Sequence, residues 1–298
     1  MNKLLLIVIV LVTLVSIKKY TTDQTSQVRI ITYNVWKGFE DAPKRYSAFI
    51  EWMKEQNTDI VALQELKGYT NEQLQIEAKQ WGHSYSILLE TKTGYHLGVT
   101  STKPISFIET IQDKMAHGLL HCKTFGIDIF VTHLSPFTYK ERQNEVAFIA
   151  GEIKNTSNDK IIFLGDFNAL SPKDSIRYES TTLFQYFFER DSIYENNSNL
   201  NQGNLDYSVI GEIDNMGLID LMDEFQPTFP TQCKFETNSF SKYSTEATQN
   251  ISRQIDYIYA SPSLVKHSTS AYVIDNEQTN MISDHFPLIA EFNFPKEK

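Results

Sequence analysis

Only two cysteines stand in a chain of 298 residues, and their positions, Cys122 and Cys233, match no zinc-binding spacing. They either close one long-range disulfide in an oxidising compartment or are two unrelated buried thiols. Glycine is sparse, at 12, which excludes a collagen-like chain. Basic residues are in deficit: 27 Lys and Arg against 37 Asp and Glu leave a formal net charge of −10. An acidic chain argues against non-specific nucleic-acid binding, which draws on a basic face. Divalent cations in a site reverse a local acidic field, so the argument stops at the surface.

The apolar run Leu4 to Ile17 follows Lys3 and is shorter than a full membrane span. It fits the core of a signal peptide. Lys18 and Lys19 follow at once, and no small-x-small cleavage site is present, so an uncleaved signal anchor stays open. No cysteine lies near the start, which excludes a lipoprotein anchor. Residues 1–27 are therefore expected to be a signal peptide or membrane anchor with a polar spacer. The rest would then lie outside the cytoplasm, as a secreted, periplasmic or membrane-anchored protein.

What is present is apolar substance: 41% hydrophobic residues and 12% aromatic, with 15 Tyr and 19 Phe. That suffices for a substantial core, and residues 28–298 are read as one domain. "VRIITYNV", "DIVALQ", "KIIFLG", "QIDYIYAS" and "FPLIAEFNF" read as buried strands. "PKRYSAFIEWMKEQN" reads as a helix with Pro43 in its first turn and Tyr46, Phe49, Ile50 and Met53 on one face. Helices are also expected over 70–81 and 139–154, short strands over 85–133, and a long loop over 190–215. Interleaved helices and strands, with hairpins in the middle, predict a mixed α/β sandwich of two sheets flanked by helices.

The apolar runs repeatedly finish on a polar side chain. "IITYNV" carries Asn34, "IVALQE" ends at Glu65 and "IFVTH" at His133. "FLGDFN" ends at Asp166 and Asn168, "QIDYIYAS" holds Asp256, and "ISDHFPL" holds Asp284 and His285. Singly, each has a bland explanation as a bulge, a turn former or a satisfied histidine. Together they sit at the mouths of buried strands, where α/β proteins build sites. The set also makes chemical sense. Mg²⁺-like cations take oxygen ligands from a few carboxylates and leave room for water and phosphate. A histidine flanked by carboxylates suits proton transfer near neutrality.

"TYNVWKG", "LQE", "VTHLSP", "LGDFNA", "QIDYIYAS" and "SDHFPL" come in the order of the endonuclease/exonuclease/phosphatase superfamily, which the chain resembles from Val28 to Phe294. The pairing of "GDFNA" with a downstream "SDH-x-P" is the specific part. The resemblance implies a four-layer α/β sandwich and hydrolysis of phosphate esters with Mg²⁺ or Mn²⁺. It implies that Asn34 and Glu65 hold the ion, with Asp284 close to it. It gives Asp166 and Asn168 contacts to phosphate, attacking water or a second metal. It makes His285 a general base oriented by Asp256, and gives His133 a phosphate oxygen or the leaving group. A histidine at 133 leans towards the deoxyribonuclease and sphingomyelinase branches.

The expected substrate is a phosphodiester, in nucleic acid or in a phospholipid head group, and the expected state is a monomer. A metal-dependent phosphodiesterase or endonuclease is the leading reading. A lipid or head-group phosphodiesterase or phosphatase is the alternative, and a catalytically dead binding module comes third. Tyr139, Lys140 and Arg142 are expected on a solvated helix start, the aromatics of 181–191 in the core, and His96 on a surface loop.

Overall fold

The computed structural model describes residues 25–40, 42–225, 230–232 and 242–295. The expectations for the first 24 residues and for Cys233 lie outside the described residues. Cys122 is a buried free thiol. No helix among the described residues is long and apolar enough to cross a membrane.

The strands are β1 (Thr25–Asn34), β2 (Ile60–Gln64), β3 (Tyr85–Leu89), β4 (Leu97–Ser101), β5 (Ser106–Ile111), β6 (Leu119–Thr124), β7 (Ile127–His133), β8 (Ile161–Asp166), β9 (Leu200–Asn201), β10 (Asn204–Leu205), β11 (Ile219–Asp220), β12 (Asp256–Ala260), β13 (Ser268–Val273) and β14 (Leu288–Pro295). The α-helices are α1 (Pro43–Glu55), α2 (Asn71–Ala78), α3 (Tyr139–Asn155), α4 (Ser175–Tyr178), α5 (Leu183–Ile193), α6 (Ser208–Asp214), α7 (Leu221–Phe225) and α8 (Pro262–Val265). Two six-stranded mixed sheets result, ordered β13-β14-β1-β2-β4-β3 and β11-β12-β8-β7-β6-β5.

Alternation within the strands explains the layers. Val28 and Ile30 of β1 and Ile60 and Ala62 of β2 face a central core, where Ile129 and Val131 of β7 and Ile162 and Leu164 of β8 meet them. The alternate residues Ile31, Tyr33, Val61 and Leu63 face outwards onto Phe49, Trp52 and Met53 of α1 and Leu74 of α2. On the other side, Phe130, Ile161 and Phe163 face Val146 and Ile149 of α3 and Val209 and Ile213 of α6. Both faces of each central strand are covered, so these strands read as continuous apolar runs. The expected four-layer α/β sandwich is the fold observed.

Local expectations fared unevenly. Pro43 opens α1 as its first residue. The segment 190–215 is not one long loop: it contains the end of α5, the β9–β10 hairpin and α6. Its Asn and Ser residues build turns and hydrogen bonds between short elements. Asn201, for example, donates to Asp206, which also accepts from Ser208.

Candidate active site

Two parallel strand pairs bring the polar residues to one end of the molecule. β1 and β2 run parallel with Asn34 opposite Gln64. β7 and β8 run parallel with His133 opposite Asp166. The antiparallel β12 enters beside them, placing Asp256 opposite Asp166. A parallel pair ends both of its strands at the same edge of the sheet.

Gly165 does not turn the chain. It lies inside β8 at φ 136°, and a Cβ there would sit 2.0 Å from the Thr132 carbonyl oxygen. Close approach of β7 to β8 therefore requires glycine. The turn falls at Asn168, which has φ 47°. Asp166 Oδ1 accepts the Asn168 backbone N–H at 2.9 Å, and Asn168 Nδ2 donates to the Leu134 carbonyl at 3.1 Å. Asp166 and Asn168 thus share the site through this side-chain turn, and simple strand alternation does not account for them. Glu65 also has positive φ, 61°, a conformation that ordinary residues adopt where the surroundings impose it.

All eight sequence-predicted residues meet. Asn34 Nδ2 donates to Glu65 Oε1 at 3.1 Å and to Asp166 Oδ2 at 2.9 Å. Its Oδ1 accepts the Trp36 N–H at 2.9 Å, so the amide oxygen already has a partner. Glu65 Oε2 accepts the Lys37 N–H. His133 Nε2 lies 3.4 Å and His285 Nε2 3.7 Å from Asp166 Oδ2. His285 Nδ1 meets Asp256 Oδ2 at 2.8 Å. Asp284 lines the cleft with Glu65, His133, Asp166, Asn168 and His285.

The electrostatics divide the site. Burial drags the His285 ring down, but Asp256, Asp284 and Asp166 outweigh it and lift the ring to about 10. Burial holds His133 at about 4, and its Nδ1 has no hydrogen-bond partner among the described residues. His117 stacks on His133 with ring centroids 4.4 Å apart, and burial with the neighbouring imidazole takes it to about 3. Burial also raises Asp284 and Asp256 to about 6 each, with like-charged neighbours contributing.

Several lining residues were not anticipated. Gln232 is held by Arg253, whose Nε donates to Gln232 Oε1 at 2.9 Å. Arg253 Nε–H is only a donor, so the Gln232 amide must turn its NH₂ to the other side. That NH₂ lies 2.9 Å from His285 Nε2, a hydrogen bond that only the neutral ring can accept, and reaches Asp284 Oδ2 at 3.4 Å. Trp36, Tyr95, His117, Phe137 and Arg190 also line the cleft. No local pattern marks Gln232, whereas His117 stands two residues before the strand that pairs with β7, a weak signal.

The peripheral expectations divide. Arg142 is buried, not solvated, and donates to the Ser135 carbonyl and Asn199 Oδ1. It ties α3 to neighbouring loops and does not line the cleft. On α5, Leu183, Tyr186 and Phe187 are in the core, but Phe184 and Phe188 are exposed. His96 accepts the Thr91 N–H, and its neighbour Tyr95 lines the cleft instead.

The cleft has a volume of about 300 Å³. A larger cavity of about 720 Å³, an apolar groove between α3 and α6, contains none of the eight residues.

Comparison with solved structures gives the same architecture. An AP endonuclease from Archaeoglobus fulgidus superposes with TM-score 0.62 at 16% identity, covering 89% of this chain and 99% of that one. A 3'-5' exonuclease, NExo, from Neisseria meningitidis superposes with TM-score 0.62 at 17% identity, covering 90% and 100%. A singly substituted form of the 3' phosphatase NExo from Neisseria, bound to a product DNA hairpin, matches equally well at TM-score 0.62 and 17% identity, covering 90% and 100%. Identities this low speak for the fold. No curated protein matches at the sequence level. The sequence model of the Endonuclease/Exonuclease/phosphatase family matches residues 31–285, a span that holds all eight site residues, and the chain belongs to that family.

Proposed function

We propose that the protein is a divalent-cation-dependent phosphodiesterase that cleaves nucleic acid by in-line attack of water on phosphorus. The observation that carries this reading is the convergence on Asp166 Oδ2 of Asn34, His133 and the Asp256-paired His285. Family membership supports the reaction class, and the neighbour bound to a DNA hairpin supports nucleic acid as substrate.

The donor set fits a hard cation. Glu65, Asp166 and Asp284 face one cleft, and among the described residues none forms an ion pair with Lys or Arg. One donor atom each of Glu65, His133 and Asp166 falls within a 4.8 Å group. Oxygen-rich sites of this kind suit Mg²⁺ or Mn²⁺. Glu65, Asp166 and Asp284 would hold the ion, and Asn34 would place two of these carboxylates through its NH₂. Once bound, the ion neutralises phosphate charge and stabilises the leaving oxygen.

The chain's own residues do the rest. Without a cation the surrounding carboxylates hold a proton on His285. With their charge offset by a cation on Glu65, Asp166 and Asp284, His285 Nε2 is free to take the proton of the attacking water, while Asp256 keeps the other ring proton on Nδ1 and fixes the ring's direction. Gln232 must release Nε2 before water can reach it. Asn168, held by Leu134 and Asp166, presents its amide near the phosphoryl oxygens, and His133 contributes a neutral N–H donor. The apolar run 4–17 is read as the export signal or anchor that carries a monomeric domain out of the cytoplasm.

The test is hydrolysis by the full chain in mild detergent, with Mg²⁺, Mn²⁺ or EDTA. Plasmid DNA, RNA, sphingomyelin and a chromogenic phosphodiester are compared. Metal-dependent cleavage of nucleic acid without lipid cleavage is the expected result. Cleavage of lipid alone would transfer the activity to head groups, and silence on all four would leave a narrow small-molecule phosphatase or a non-catalytic module.

A further inference from the structure

Two guanidinium groups line the cleft with Asp166, Asn168 and His285, and the reaction described above uses neither on the scissile phosphate. Arg190 comes from α5 and Arg253 from the segment leading into β12. Arg190 Nη1 donates to the Tyr186 hydroxyl at 3.1 Å and Nη2 to the Pro136 carbonyl at 3.2 Å, and neither acceptor is a carboxylate. Its Nε has no hydrogen-bond partner among the described residues. Among the described residues no carboxylate forms an ion pair with Arg190. Asp191, next in the chain, accepts from the Asn199 side chain and the Asn199 and Leu200 amides instead. Arg253 is 4% exposed, with its guanidinium 5.5 Å from the Tyr186 ring and 5.2 Å from the Phe187 ring.

The two arginines share one field. Burial lowers the Arg253 guanidinium, and the charge of Arg190 adds to that. Burial alone would raise the Tyr186 hydroxyl, yet Arg190 and Arg253 outweigh it and bring it below the ordinary phenol range. Burial opposes the Arg190 charge, but Tyr186, Tyr243 and Asp191 outweigh it and keep the guanidinium charged in the cleft wall, with no ion-paired carboxylate on it among the described residues. The chain has 37 acidic residues against 27 basic ones, so acids to neutralise it were not scarce. Guanidinium is also the side chain best shaped to grip phosphate.

We propose that Arg190, with Arg253 beside it, forms a subsite for a second phosphate, the one flanking the scissile phosphate in a nucleic-acid strand. The proposal rests on the phosphodiesterase reading above. Trp36, Tyr95 and Phe137 supply aromatic faces around the same cleft, on which a base can stack. The small cleft and the acidic chain fit a short or single-stranded end better than a duplex.

The experiment compares kcat/KM on a thymidine dinucleotide with no terminal phosphate, a 5′-terminal phosphate or a 3′-terminal phosphate. Bis(p-nitrophenyl) phosphate and glycerophosphoinositol phosphate accompany them, all with Mg²⁺. The wild type is expected to prefer one phosphorylated dinucleotide over the bare one by about 10-fold or more, the scale of one charge-assisted contact. Arg190→Gln should bring that ratio close to one, through KM, and Arg190→Lys should retain part of it. The wild-type ratio needs no variant, so a folding defect in Arg190→Gln leaves the test intact. Equal rates on all three dinucleotides in the wild type overturn the subsite, as does a preference that survives in a folded Arg190→Gln. A stronger preference for the phosphoinositol ester overturns the nucleic-acid assignment. Failure to cut even bis(p-nitrophenyl) phosphate overturns the phosphodiesterase reading itself, and the subsite with it.

Discussion

Two histidines face the same carboxylate from different walls of the cleft, and their charge states are pushed in opposite directions. His285 Nε2 and His133 Nε2 lie 3.7 and 3.4 Å from Asp166 Oδ2, and both rings are about equally buried. His285 also has Asp256 on its Nδ1 at 2.8 Å. Among the described residues His133 has no partner on Nδ1, and a second imidazole, His117, is stacked against it. Burial disfavours charge on both rings, and the other contacts decide the outcome. One wall is therefore built to accept a proton, the other to stay a neutral donor.

The comparison breaks most visibly at the base. His285→Ala is expected to lower kcat by about 10²- to 10⁴-fold, the usual worth of general acid–base catalysis. Asp256→Asn should fall in the same range, because it permits the wrong ring tautomer. Single-turnover hydrolysis in saturating Mg²⁺ measures both. Glu65→Ala should match EDTA treatment of the wild type, with added Mg²⁺ restoring the wild type only.

His133→Ala should cost less, about 10²-fold, as the loss of one preorganised donor. Unlike His285→Ala, it should leave the acid limb of the pH–rate profile in place. If both variants lose that limb, the division of roles is wrong.

Gln232→Glu sharpens the contrast. Arg253 would still hold one oxygen, so the other would face His285 Nε2 as an acceptor and demand a proton there. The acid limb should move up by about one pH unit, with roughly 10-fold lower activity at neutrality. Gln232→Ala should produce no upward shift.

The smallest expected effect is on stability. His133 and His117 have folded-state values of about 4 and about 3, below the ordinary 6.5. The unfolded chain therefore binds protons first as pH falls. Their contribution is complete above about 6.5 and is lost as pH drops towards 3, on the order of a few kcal/mol. His285 has the opposite sign: its raised value gives stability present below about 6.5 and lost as pH rises through about 10. Asp256 and Asp284, raised to about 6, gain stability over part of the same range, so the check is a difference: between pH 7 and 5 in EDTA the urea midpoint of His117→Phe should fall less, or rise more, than that of the wild type.

Much of this cleft was legible in the chain. Residues that end a buried strand on a carboxylate, amide or imidazole stand out against an apolar run, as Asn34, Glu65, His133 and Asp166 do. The layers were legible for the same reason: period-two alternation inside apolar strands and helical spacing in α1 are local properties. The segment 190–215 was not, because its helix and hairpin are short, and their polar composition is that of a loop.

The sequence by itself determined the long buried strands, the order of the motifs and the residue types at the strand mouths, since these follow from periodicity and side-chain chemistry along the chain. Only the tertiary structure decided which atoms face one another. It turned the Asn34 amide onto two carboxylates, set His117 against His133, and brought Gln232 and Arg253 to His285 from separate segments. Burial and neighbouring charge then set the two histidines apart, and neither is a property of a residue in its own sequence.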